Sequence, residues 1–143
     1  MRIGIVGSRY AAEQVKLDIL RQIPENTTEI VSGGAAGVDS YASELAELLH
    51  IPLKVFLPEY DKYGKRAPLL RNLEIIRYAD EILAFWDGRS AGTRFVISAC
   101  VKEGKAVRVI PVGGREQRKC PFSTDRAENE AVLPVKNGRK AGK

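Results

Sequence analysis

Five short, β-branched apolar runs alternate with longer stretches of helical periodicity, and very few architectures accommodate that alternation. The runs are Arg2–Val6, Glu29–Ser32, Leu53–Phe56, Glu81–Phe85 and Ala106–Ile110. They are near-continuous rather than alternating, which predicts strands covered on both faces of a parallel sheet. Between the first two, Ala12, Val15, Ile19, Leu20 and Ile23 recur at helical spacing, and Val38, Tyr41, Ala42, Leu45 and Leu49 do so ahead of Pro52. Leu69, Leu70, Leu73 and Ile76 mark a third helix starting near Pro68. A fourth is predicted from about Thr93 to Glu103, with Gly104 suited to a left-handed cap. Right-handed crossovers turn this βαβαβαβαβ order into an α/β fold: a single Rossmann-like, doubly wound parallel sheet of five strands, expected order 3-2-1-4-5, with its switch point between the first and fourth strands.

The periodicity ends at Val112, so residues 1–112 are expected to form the domain and residues 113–143 a basic, irregular tail, with Ala131–Val135 as a possible short apolar segment within it. Of the net charge of +5, the body contributes little: residues 1–112 carry 15 Lys/Arg against 14 Asp/Glu, and the tail 8 against 4. Basicity of the whole chain is therefore a poor argument for nucleic-acid binding. No apolar run reaches the roughly 20 residues of a membrane helix, so no membrane partner is expected. Met1–Gly7 is too short for a secretory signal, and the two cysteines, Cys100 and Cys120, cannot make a disulfide framework. A reducing, cytoplasmic setting is the expectation. No Cys/His spacing suits a metal, and no cofactor is expected.

Three small-residue turns follow the first, second and fourth strands, at the strand ends where open α/β sheets bind ligands. In Gly7-Ser8-Arg9, the glycine permits close backbone approach, the serine offers a hydroxyl, and the arginine a cationic fork for phosphate or carboxylate. Ser32-Gly33-Gly34-Ala35-Ala36-Gly37-Val38-Asp39 opens a helix, where unpaired N–H groups and the dipole attract anions. It lacks both the Walker A ending and the dinucleotide fingerprint spacing. Asp39, in the first helical turn, either accepts ribose hydroxyls or complements the dipole. Trp86-Asp87-Gly88-Arg89-Ser90-Ala91-Gly92-Thr93 opens another helix, capped by Ser90 or Thr93. Trp86 either stacks on a base or packs at the strand end. Arg71-Asn72, near the start of the third helix, points toward the same end of the sheet. The link Pro58–Arg66, with Tyr60, Lys62, Tyr63, Lys65 and Arg66, reads as a lid, a nucleic-acid contact or an ordinary charged loop. His50, at a helix end, suits the dipole better than catalysis. Cys100 reads as core.

Together these residues resemble the SLOG superfamily, which groups DNA-processing protein A, the cytokinin-activating LOG enzymes and the YspA-like proteins. The resemblance covers residues 1 to about 112 and rests on the three turns, Arg71-Asn72, Ala79-Asp80 and the Gly104-Lys105-Ala106-Val107 turn. In length and in its Arg-Asn and Gly-Thr elements the chain is similar to the small YspA-like branch. The resemblance implies a Rossmann-like fold binding a nucleotide or nucleotide-derived phosphate ligand, with a sensing or regulatory output, at Gly7, Ser8, Arg9, Ser32, Gly33, Gly34, Gly37, Asp39, Arg71, Asn72, Asp87, Gly88, Ser90, Gly92 and Thr93. LOG enzymes hydrolyse nucleoside monophosphates through a Pro-Gly-Gly-x-Gly-Thr-x-x-Glu motif. That motif aligns at Gly92-Thr93, but its glutamate position is Val96, and Glu103 lies at the far end of the helix. DNA-processing proteins share the Ser-Gly-Gly-Ala and Gly-Val-Asp type of loop and bind single-stranded DNA, a partner this resemblance also implies. The superfamily, with apolar helix positions such as Leu48 and Leu49, further suggests a homodimer.

Overall fold

Alternate residues of the central strands enter two separate cores, and this division organises the molecule. Ile3, Ile5, Ile30, Leu83 and Phe85 pack with Val15, Ile19, Val38, Ala42 and Leu45 on one face of the sheet. Val6, Val31, Ile82 and Ala84 pack with Ile75, Ile76, Val96 and Cys100 on the other. The period of two along a strand sends neighbouring side chains to opposite faces, so each strand can be apolar throughout.

A computed structural model describes residues 1–113 of the chain. Its strands are β1 (Arg2–Gly7), β2 (Glu29–Ser32), β3 (Leu53–Val55), β4 (Glu81–Trp86) and β5 (Ala106–Pro111). The helices are α1 (Val15–Gln22), α2 (Val38–Leu49), α3 (Tyr60–Tyr63), α4 (Ala67–Tyr78) and α5 (Ala91–Glu103). All strand pairs are parallel, in the order β3-β2-β1-β4-β5, as the alternation predicts. Helices α1 and α2 cover one face and α4 and α5 the other. The order reverses at β1 and β4, where adjacent crossovers leave on opposite faces and a crevice opens beyond the strand ends. The expectations for the tail, for Cys120 and for Ala131–Val135 lie outside the described residues.

Three readings change. The strands are not all covered on both faces. At the two edges Val55 is 39% and Val109 42% exposed, because an edge strand has one neighbour and the helices pack over the centre. The link Pro58–Arg66 is not a plain loop but contains α3 and a 3-10 turn over Gly64–Arg66 that runs into α4. Finally, α1 starts at Val15 rather than near Ala12, and α5 starts at Ala91, two residues before Thr93. Gly104 ends α5 at φ +71°, and its N–H reaches the Cys100 and Val101 carbonyls, the left-handed cap that the glycine predicts.

Candidate nucleotide-binding crevice

Close packing of β1 on β4 sets the site. A side chain at Gly7 would place its Cβ 2.6 Å from the Phe85 carbonyl oxygen and 2.7 Å from Val38, so only glycine lets the β1 turn lie between β4 and α2. Ser8 follows, buried, with its N–H on the Phe85 carbonyl at 3.2 Å. Its carbonyl accepts from the Val38 N–H at 3.1 Å, which satisfies one of the unpaired donors of α2.

A crevice of about 630 Å³ opens over this junction. Gly7, Ser8, Arg9 and Tyr10 form one wall, and Asp87, Ser90, Gly92 and Thr93 another. Ala35, Ala36 and Asp39 come from the β2–α2 loop and the first turn of α2, Arg71 and Asn72 come from α4, and Val6, Ile75 and Val96 supply an apolar floor. Ten of the fifteen residues anticipated from sequence therefore line one cavity.

The other five, Ser32, Gly33, Gly34, Gly37 and Gly88, do not line it. Four of them build the β2–α2 loop. The Ser32 hydroxyl accepts from the Gly34 N–H at 3.3 Å. The Gly33 carbonyl accepts from Arg71 Nη1, and a Cβ on Gly33 would meet that guanidinium. Gly37 has φ +72°, and a Cβ there would collide with the Ser8 and Arg9 carbonyl oxygens. Gly34 has φ +74°, and a Cβ there would lie 2.9 Å from Leu57 and 3.1 Å from Val55. Gly88, at φ +84°, closes the β4–α5 turn with open space around it.

Several N–H groups of the β2–α2 loop find acceptors inside the protein. Three of its donors are committed: Gly34 to Ser32, Val38 to Ser8, and Ala35 to the Asp39 carboxylate at 3.1 Å. Asp39 thus serves as an internal acceptor, which neither sequence reading anticipated. Burial pushes its carboxyl above the ordinary 3.8, outweighing the Ala35 N–H, the Arg71 charge, the Gly33 N–H and the Arg9 charge. Arg71 is half-buried, and desolvation lowers its pKa against the opposing pull of Asp39. Its guanidinium also reaches the Phe56 carbonyl at 3.3 Å and, through Nε, the Asn72 side-chain oxygen at 2.8 Å. Arg71 is a strut between β2, β3 and α4 as well as a wall of the crevice.

The β4–α5 turn is organised by Asp87. Its Oδ1 accepts from the N–H groups of Arg89 and Ser90 at 2.8 and 2.9 Å, and its Oδ2 from the Ser8 hydroxyl at 3.2 Å. Burial raises its pKa, but the Ser90, Arg89 and Ser8 donors outweigh burial and hold the carboxyl below 3.8. Ser90 is the N-cap, accepting from the Thr93 N–H at 3.4 Å. Trp86 packs at the strand end, with its indole N–H on the Ser90 carbonyl at 3.1 Å. Ala91 and Gly92, in the first turn of α5, have N–H groups with no intrahelical acceptor.

Both acids of the crevice are thus engaged with N–H or hydroxyl donors of the protein. Arg9 is exposed and makes no hydrogen bond or ion pair with a described residue. The net chemistry is a wall with one uncommitted guanidinium, a helix N-terminus and an apolar floor. Sequence reasoning missed Tyr10, Pro68 and Leu69 as lining residues, since exposed side chains beside a motif carry no periodic signal. Elsewhere, His50 caps α2 in a left-handed conformation at φ 58°, and Leu48 is 67% exposed at the same end. No helix among the described residues is long and apolar enough to cross a membrane.

Comparison with known proteins finds relatives of the fold and of the N-terminal half. The family model described as DNA recombination-mediator protein A matches residues 1–52, the stretch from β1 through α2 that contains two of the three turns. The gene 61 protein of Mycobacterium phage D29 is 33% identical over 125 residues, covering 80% of this chain and 98% of that protein. The X-ray structure of DNA processing protein A (DprA) from Streptococcus pneumoniae superposes with a TM-score of 0.66 at 20% identity, over 87% of this chain. The chain spans only 58% of that structure's length, and the likeness at this identity is one of fold. On its turns, its sheet order and these matches, the chain belongs to the DprA-like family of the SLOG superfamily.

Proposed function

We propose that the protein binds single-stranded DNA, holding one phosphate-bearing nucleotide unit in the crevice over β1 and β4. The observation that carries this reading is the asymmetry of charge in the crevice. Asp39 and Asp87 are engaged by internal donors, while Arg9, uncommitted, lines the same crevice as the first turn of α5. Such a surface favours an anion at the helix N-terminus and a guanidinium beside it. The family description, a DNA recombination mediator, supports DNA as the source of that phosphate. A second reading, a free nucleotide with a regulatory output, is favoured by the limited volume of about 630 Å³ and the apolar floor. Hydrolysis of LOG type is disfavoured because Val96, 1% exposed, forms part of that floor where the motif requires a glutamate.

The test is fluorescence anisotropy with a labelled oligothymidylate, a duplex of the same length and a salt series. The expected result is preference for the single strand and a linear fall of log affinity with log salt. Arg9→Ala should weaken binding by about 1.5–3 kcal/mol, the scale of a hydrogen bond to a charged group. Thermal shift with mononucleotides separates the second reading. A melt shifted by mononucleotides, with no anisotropy change on the oligomer, would replace the first reading by the second.

A further inference from the structure

We infer that Tyr10 and Leu69 form a nucleobase-stacking subsite at the mouth of the crevice, an assignment that rests on the nucleic-acid reading above. Tyr10 is 88% exposed, the most exposed large apolar side chain among the described residues, yet it lines the crevice. Its backbone is not loose. The Tyr10 N–H donates to the Ser8 hydroxyl at 3.2 Å, and that hydroxyl is tied to Asp87. A hydrogen-bonded backbone thus carries a ring that is left almost wholly exposed. Leu69, 40% exposed on the first turn of α4, lines the same crevice with Pro68 beside it. Tyr10 directly follows Arg9, and consecutive Cα atoms are about 3.8 Å apart, so the two residues can serve the phosphate and the base of one nucleotide.

An aromatic ring offers a large, stiff face with only two side-chain torsions to order, and every base has a π-face to lay on it. Stacking is therefore tolerant of base identity, as a protein that handles unspecified single strands requires. The remaining exposed aromatics do not share this position. Tyr60 and Tyr63 belong to α3, and Tyr63 lines a separate crevice of about 210 Å³ between α3 and α4, with Lys62 over its ring. That makes Tyr63→Ala a suitable control.

The experiment uses the full chain and an oligothymidylate carrying one 2-aminopurine, whose fluorescence is quenched on stacking. Wild type is expected to bind with quenching. Tyr10→Ala should lose the quench and weaken binding by about 5- to 150-fold, the span of base–aromatic stacking. Tyr10→Phe should keep both properties, and Tyr63→Ala should behave like wild type. Unchanged binding and quenching in Tyr10→Ala would overturn the subsite while leaving the DNA reading intact, and so would a Tyr10→Phe variant as weak as Tyr10→Ala. Absence of oligomer binding by wild type would overturn the DNA reading and the subsite together.

Discussion

The Ser8 hydroxyl donates to the Asp87 carboxylate at 3.2 Å and so joins the turns after β1 and β4, which are 79 residues apart in the chain. The same hydroxyl accepts from the Tyr10 N–H, and the same carboxylate accepts from Arg89 and Ser90. One pair of side chains therefore sets the spacing of two walls of the crevice.

Removing this tether has a defined pH signature. Asp87→Ala is expected to cost about 1 kcal/mol, less than the roughly 1.5–3 kcal/mol of a hydrogen bond to a charged group, because solvent reaches the carboxylate. The folded carboxyl lies below its ordinary 3.8, so its stabilisation is present above that value and is lost as pH falls through the folded pKa. Urea titrations of wild type and Asp87→Asn should diverge at neutral pH and converge in acid. A constant difference at all pH values would refute the assignment.

Asp39 behaves with the opposite sign. Burial raises its folded pKa above 3.8, so the folded state takes up the proton more readily, and Asp39's contribution improves as pH falls through that raised pKa. Relative to Asp39→Asn, wild type should gain stability from neutral pH down toward 3.8. Asp39→Ala leaves the Ala35 N–H without its acceptor and should cost about 1–3 kcal/mol. Denaturant midpoints for both variants across that range check the prediction.

Two glycines of the family motifs should respond in opposite ways. Gly37→Ala combines φ +72° with a collision against two backbone carbonyls and should destabilise by about 3 kcal/mol or more. Gly92→Ala, in the first turn of α5 with nothing within 4 Å of its added Cβ, should be neutral or stabilise by up to about 1 kcal/mol. Thermal melts of the two variants are sufficient, and equal effects would show that the loop adapts around Gly37.

Val112 should mark the minimal folding unit. It is 3% exposed, packs in the core under α1 and α2, and donates its N–H to the Trp86 carbonyl at 3.0 Å. A chain ending at Val112 is expected to melt cooperatively. One ending at Pro111 should lose about 1–3 kcal/mol for the missing apolar side chain. A non-cooperative melt of the longer piece would show that residues beyond it are needed for the core.

Cys100 is 0% exposed, and burial pushes its thiol up to about 12. In a Cys120→Ser background it should resist alkylation at neutral pH until denaturant unfolds the domain, because the thiolate is the reacting form. Mass spectrometry after timed iodoacetamide exposure reads this directly, and rapid labelling of the native protein would contradict it.

Sheet order, helix placement and the end of the sheet where the crevice opens were legible in the sequence because they follow from local periodicity and the handedness of crossovers. β-branched runs such as Glu81–Phe85 need no partner to be read as strands, and Gly104 needs only its own conformational freedom to end α5. The three turns could be placed at one edge for the same reason. What each polar group does there was decided only by tertiary contacts. Asp39 could be read from sequence as a ligand acceptor, but its carboxylate accepts from the Ala35 N–H, and Arg71, placed by sequence only at that end of the sheet, donates to the Gly33 carbonyl. Tyr10 had no sequence signal at all, since a ring left in solvent leaves no periodic trace. Backbone preference and apolar spacing are properties of a segment, whereas a hydrogen-bond partner tens of residues away is a property of the folded chain.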